Sequence, residues 1–254
     1  MIIANFKSNL LNFDRWVDEF VNSCSPPEFY VGIAPPSIYI YEYSYGIQHW
    51  GNRNKSDHNM LEMAIGAQDV DHSSGSRTGA ISIEMLDDVG VGFVIIGHSE
   101  RREFFYEDND LIRKKILAVS ESKIGTTILC IGETKEENKM GTTKDVLKAQ
   151  LSVIDGFELS KNFTIAYEPV WAIGRGQTPE PKDINEIHKY IKDVVQSVST
   201  NKHIPDVLYG GSVTDINAES FFKEEFVDGA LVGGASLNGT TFANIVNIWR
   251  ENII

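Results

Sequence analysis

The chain has 254 residues, 42% of them hydrophobic and 23% charged, with a formal net charge of -13. That length fits one α/β barrel, and the composition is that of a folded globular protein rather than a disordered one. The charge excludes a basic nucleic-acid surface, which needs clustered Lys and Arg, but leaves room for a small anionic ligand held by local donors. Cys24 and Cys130 are the only cysteines, without a CxxC spacing, so no disulfide framework is expected. The N-terminal residues lack a basic stretch followed by a long apolar run, and no segment reaches the roughly 18 apolar residues of a membrane span, so the sequence reads as a cytoplasmic protein with no membrane partner.

Short apolar runs at 2–6, 30–34, 62–67, 92–97, 126–131, 163–167, 206–209 and 229–232 read as strands. They begin about every 32 residues, the length of a βα unit. After the first, Phe13, Trp16, Val17, Phe20 and Val21 fall on one helical face, with Asn12 placed as N-cap. The connection from the second strand to the third is the least regular: 39–50 is aromatic-rich and 51–59 is a polar loop. Later, Ile184, Ile187, Ile191, Val194 and Val198 repeat by threes and fours behind Pro181 and Asp183, a helix with its start signals. Eight such units imply a parallel sheet. An open doubly wound sheet is the structural alternative, and no GxGxxG follows the first strand to support it. The expected fold is a closed (β/α)8 barrel forming a single domain over 1–254.

In such a barrel, chemistry sits where strands run out into the following loops. Strand one ends in Asn5-Phe6-Lys7, strand four in Gly97-His98-Ser99-Glu100, strand six in Glu168-Pro169. Strands seven and eight run into Gly210-Gly211-Ser212 and Gly233-Gly234-Ala235. Glu168 can take a proton from carbon once water is excluded, and Pro169 keeps its backbone extended. On its own it is as readily a charged strand end. The loop 169–179 has prolines at both ends, later glycines and an apolar Trp-Ala-Ile segment, which fits a lid. The plainer alternative is a loop packed permanently on the barrel. His98 precedes an expected helix start, which lowers an imidazole pKa and favours the neutral, hydrogen-bond-donating form. Taken alone, a lone histidine is more often a core residue, which is how His49, His58, His72, His188 and His203 are read, or as surface. Lys7 can neutralise phosphate and polarise an oxygen, with Asn5 and Glu100 as neighbours. Two glycine turns after the last two strands suit a phosphate site.

Taken in order, Asn5-Phe6-Lys7-Ser8-Asn9, Ile96 to Arg102 (IGHSERR), Cys130-Ile131-Gly132-Glu133, Ala166 to Gly174 (AYEPVWAIG), Tyr209-Gly210-Gly211-Ser212-Val213 and Leu231 to Leu237 (LVGGASL) resemble one family, triosephosphate isomerase, across essentially the whole chain. The resemblance implies a TIM barrel that interconverts dihydroxyacetone phosphate and D-glyceraldehyde 3-phosphate through an enediolate, in glycolysis and gluconeogenesis, with no metal or organic cofactor. The glutamate base and neutral histidine of this family are an established case of pKa tuning. Carried to this chain, Glu168 moves the proton, His98 serves the carbonyl oxygens, Lys7 and Asn5 stabilise developing charge, and Glu100 supports Lys7. Backbone N–H groups of Gly174, Ser212, Gly233 and Gly234 bind phosphate. The family is usually a homodimer, and Thr78 matches the residue that reaches the neighbour's site.

Several positions depart from the family's pattern. Arg77 replaces an aromatic, and Ala80 replaces a glutamate expected to pair across the dimer with the position of Arg101. Arg175 and Gln177 change the far hinge of the lid, and Asp69 replaces an asparagine. Two rival readings stand beside the isomerase. A metal-dependent phosphosugar barrel enzyme needs more His and carboxylate ligands at the strand ends than are present. A catalytically dead binding relative sits badly with intact Lys7, His98 and Glu168.

Overall fold

The computed structural model describes residues 1–24, 30–53, 63–173 and 178–252, without the side chains of 48–53. Eight parallel strands close into a barrel in sequence order: β1 (Ile2–Asn5), β2 (Val31–Ala34), β3 (Ala64–Ala67), β4 (Phe93–Ile96), β5 (Thr126–Ile131), β6 (Phe163–Tyr167), β7 (Asp206–Tyr209) and β8 (Ala230–Val232). β1 pairs on one side with β2, Ile2 opposite Val31, and on the other with β8, Ile2 opposite Ala230. The sheet is closed, so the doubly wound alternative is out. β5, β6 and β7 keep the bounds read from sequence. β1, β2, β3, β4 and β8 lose one or two end residues, Met63 among them, and the expected Glu62 lies outside the described residues.

The helices are α1 (Phe13–Ser23), α2 (Ile40–Arg53), α3 (Ile83–Asp88), α4 (Ser99–Phe104), α5 (Asn109–Ser120), α6 (Lys135–Lys139), α7 (Thr143–Leu151), α8 (Pro181–Val198), α9 (Ala218–Phe222) and α10 (Gly239–Asn252). Asn12 caps α1 as expected, its side chain accepting from the Arg15 N–H at 3.1 Å. Pro181 opens α8, where its missing N–H costs nothing. The aromatic stretch after β2 is helical, and α2 continues through Gly51, Asn52 and Arg53, which sequence reasoning assigned to a loop. Upstream, α2 is seated on the barrel by packing: the Tyr43 ring stacks on Phe13 of α1 with centroids 3.7 Å apart. The rest of that expected loop, 54–59, lies outside the described residues.

Alternation along the strands divides the apolar side chains between two cores. Ile2 and Ala4 face the helices, while Ile3, Phe93, Ile95, Ile128, Cys130, Ala166, Leu208 and Leu231 fill the barrel interior. Phe93 is the largest of these interior side chains, and two glycines make room for it. A Cβ on Gly32 or Gly66 would come within 2.6 Å or 2.2 Å of its ring. The interior is therefore packed solid, and ligands are confined to its mouth.

Candidate active site

At the C-terminal mouth a cavity of about 330 Å³ is lined by Asn5, Lys7, His98, Glu168, Ser212 and Gly233, among others. Five strand ends supply these residues, in keeping with the position of active sites in βα barrels. Glu168 is 2% exposed. Its Oε1 lies 2.8 Å from His98 Nε2, and its Oε2 accepts the Ser99 N–H at 2.9 Å. The Glu168 N–H donates to the Ile131 carbonyl at 2.7 Å, fixing the backbone. Glycine is needed on both flanks. A Cβ at Gly132 would sit 1.7 Å from the Glu168 carbonyl oxygen, and one at Gly210 would sit 2.9 Å from its Cγ.

His98 is the N-cap of α4, as its place in the sequence suggested, and Nδ1 accepts the Glu100 N–H at 3.2 Å. An acceptor nitrogen carries no proton, so the proton of the neutral ring is on Nε2, aimed at Glu168. The expected downward pKa shift is not what this arrangement produces. Burial pulls the imidazole down, but the Glu168 carboxylate against it outweighs burial and the net direction is upward. Helix capping sets the tautomer, and the carboxylate sets the net shift. For Glu168, burial pushes upward, and His98, the Ser99 N–H and Lys7 together outweigh it, holding the carboxyl below its ordinary value.

Lys7 reaches the mouth from an unusual backbone. Its φ is 48°, left-handed and unfavourable for a residue with a Cβ. Lys7 Nζ contacts Glu100 Oε1 at 2.6 Å, and the Lys7 N–H donates to Asn5 Oδ1 at 3.0 Å. Both neighbours named from the sequence are therefore present, Asn5 acting on the backbone and Glu100 on the ammonium. Gly233 lies beside Lys7, its missing Cβ 3.4 Å from Lys7 Cε, and beyond a Cβ on Gly234 there is open space. Ser212 lines the same cavity, and its hydroxyl donates to the Ala172 carbonyl at 2.7 Å, tying the exit of β7 to the base of the expected lid. Gly174, Arg175 and Gln177 lie outside the described residues.

A buried carboxylate anchors the start of the loop 169–179. Glu133, fully buried, accepts from the Trp171 indole at 2.7 Å, the Tyr167 hydroxyl at 3.0 Å and the Asn138 amide at 3.2 Å. Burial raises its pKa, and these donors offset only part of that. Glu133 and Arg102 stand within family-like motifs that carry no role for them, and Gln68 and Gln150 carry no motif at all. Each contacts a strand exit. Gln68 donates to the Lys7 carbonyl, Arg102 to those of Gly97 and Cys130, and Gln150 to that of Gly132. Glu133 and Gln68 follow the ends of β5 and β3, so the strand-end rule that found Glu168 also points at them.

Away from the mouth, Thr78 is exposed in a turn. Arg77 folds back on Asp71, 2.8 Å away, instead of projecting. Arg101, Lys115, Asp69 and Glu107 form one cluster: Asp69 meets Arg101 at 2.9 Å and Lys115 at 2.6 Å, and Glu107 meets each cation at 2.6 Å. Asp69 and Glu107 thus both give Arg101 a carboxylate within its own chain.

Among the described residues, no three or more His, Cys, Asp or Glu side chains are grouped so as to hold a metal ion, and no helix is long and apolar enough to cross a membrane. Fold and site together define a βα-barrel enzyme with a buried carboxylate–imidazole pair at its mouth. A family model described as triosephosphate isomerase matches residues 1–249. A triosephosphate isomerase of Baumannia cicadellinicola is 38% identical over 263 residues, covering 97% of this chain and 95% of that protein. Those of Erwinia tasmaniensis and Escherichia coli O1:K1 are each 41% identical over 221 residues, covering 85% of this chain and 82% of theirs. The chain belongs to the triosephosphate isomerase family.

Proposed function

We propose that this chain interconverts dihydroxyacetone phosphate and D-glyceraldehyde 3-phosphate, with Glu168 as the base that carries a proton between C1 and C2. The observation that carries the reading is the buried pair of Glu168 and His98, 2.8 Å apart in a cavity that also holds Lys7. Without substrate, the contacts from His98 and Ser99 keep Glu168 ionised. A substrate carbonyl that takes the His98 Nε2–H releases the carboxylate from its strongest partner. Burial then dominates, and the carboxylate becomes a stronger base at the moment a carbon acid is presented to it. The electron pair left by the proton moves onto the carbonyl oxygen, giving an enediolate held by the imidazole N–H and the Lys7 ammonium. The hydroxyl proton passes from one oxygen to the other by way of His98 Nε2, and return of the carbon-derived proton from Glu168 to the neighbouring carbon completes the exchange, with no net gain or loss of atoms or electrons.

Asn5 and Glu100 act through Lys7, one fixing its backbone and the other its charge. The phosphate binds between Lys7 and the glycine turns after β7 and β8, at the backbone of Ser212, Gly233 and Gly234, with Gly174 of the lid completing the cage. Closure of 169–179 excludes water and retains the enediolate. The reaction serves glycolysis and gluconeogenesis in the cytoplasm and uses no cofactor. The chain works as a homodimer in which Thr78 approaches the partner's site. Because Arg77 and Arg101 are engaged within their own chain, that dimer dissociates more easily than one with the family's usual loop.

The test is turnover of glyceraldehyde 3-phosphate by chelator-treated protein, coupled to reduction of dihydroxyacetone phosphate, over a dilution series. Turnover that persists after chelation, with specific activity falling on dilution, is expected. Folded protein without turnover at any concentration would overturn the enzymatic reading in favour of a binding protein.

A further inference from the structure

We infer that Gln68, which follows β3, is a positioning residue for Lys7, holding the lysine backbone in a conformation it would otherwise leave; this rests on the role given to Lys7 above. Lys7 is one of three described non-glycine residues with positive φ, and of the three only Lys7 lines the cavity. Such a conformation persists where its surroundings over-determine it. Two side-chain amides do so here. Asn5 Oδ1 accepts the Lys7 N–H at 3.0 Å, and Gln68 Nε2 donates to the Lys7 carbonyl at 2.8 Å.

The same Nε2 donates to the Ala34 carbonyl, also at 2.8 Å. A primary amide nitrogen has two protons, and both are engaged. One side chain thus ties together the exits of β1, β2 and β3. On β1 the tie falls on the peptide that sets the direction of the Lys7 side chain. That side chain passes Gly233 and ends 2.6 Å from Glu100 Oε1. Freed from Gln68, the Lys7 backbone relaxes toward negative φ, its Cβ swings, and Nζ leaves the position in which it faces the phosphate. Methionine at 68 fills the same space and donates nothing, and glutamate brings carboxylate oxygens against two carbonyls.

Steady-state kinetics on glyceraldehyde 3-phosphate separate the outcomes, using wild type, Lys7→Met, Gln68→Met and the double variant, each checked for folding by circular dichroism. Lys7→Met is expected to lose at least about 100-fold in kcat/KM. Gln68→Met loses about 10- to 100-fold, mainly through KM, because the cation is misplaced rather than removed. The double variant stays within about twofold of Lys7→Met, since the amide has nothing left to position. An unchanged KM in Gln68→Met overturns the inference. So does a double variant whose loss is the product of the single losses, because a general structural role is additive. A Lys7→Met enzyme as active as wild type would instead overturn the role of Lys7, and the inference with it. If Gln68→Met does not fold, Gln68→Glu, of equal size and still polar, reads the same quantities.

Discussion

Glu168 and Glu133 follow neighbouring strands, β6 and β5, and both are buried, yet the balance of forces on them differs in sign. Burial raises both. At Glu168 it is outweighed by an imidazole, a backbone N–H at a helix start and an ammonium. At Glu133 the partners are an indole, a phenol and two amide groups, the backbone among them, all neutral donors, and burial prevails. A carboxylate among groups that can carry or develop positive charge is stored ionised and is ready to act once they are redirected. One ringed by neutral donors serves as a hub that holds those donors in place. The two strand ends therefore combine a carboxylate that can change partners with one that anchors the start of the loop 169–179.

Substitution at the two positions should separate these characters. Glu168→Gln keeps the side-chain size and removes the base, so kcat should fall by about 10²- to 10⁴-fold while the melting temperature stays near that of wild type. A loss under tenfold in a coupled assay would remove Glu168 from the chemistry. Glu133→Leu leaves the Trp171, Tyr167 and Asn138 donors unpartnered in a buried site. Chemical denaturation should show a loss of about 2–4 kcal/mol, with KM and kcat changing together as the lid base loosens. A variant as stable as wild type would mean that Glu133 is no hub.

A smaller effect tests whether burial without a charged partner governs elsewhere. His188 is fully buried and its pKa is pushed down to about 3, mainly by burial. Its Nδ1 lies 3.1 Å from the Phe226 carbonyl, and Nε2 has no partner among the described residues. The unfolded chain protonates this ring near 6.5 and the folded chain near 3. The unfolded state therefore takes the proton first, and the stability this histidine contributes above pH 6.5 is lost as pH falls, by about 1.4 kcal/mol per unit, down to about pH 3. Between pH 7 and pH 5, wild type should lose about 2 kcal/mol more than His188→Gln in urea denaturation. Equal losses in the two proteins would show that the ring already titrates normally in the fold.

By itself the sequence determined a great deal. Short apolar runs and a repeat near 32 residues specify eight strands, and parallel strands joined by helices close most simply as a barrel. Strand ends follow from where apolar runs stop, so Lys7, His98 and Glu168 were legible as neighbours at one mouth, and the pairing of Lys7 with Glu100 followed from it. Helix starts at Asn12, His98 and Pro181 were legible because capping is a local property. What lies beyond local rules was decided by tertiary structure. The aromatic stretch after β2 became helix because α1 offers Phe13 to Tyr43. Asp69 found its role from Arg101 and Lys115, far along the chain. Gln68 looked like any polar residue after a strand until closure set the carbonyls of Lys7 and Ala34 within reach of one amide nitrogen. The net shift at His98 reversed because a carboxylate 70 positions away in sequence lies 2.8 Å away in space. Spacing along a chain fixes which face a residue takes, but hydrogen bonds and pKa values depend on distances through space, and those exist only once the barrel has closed.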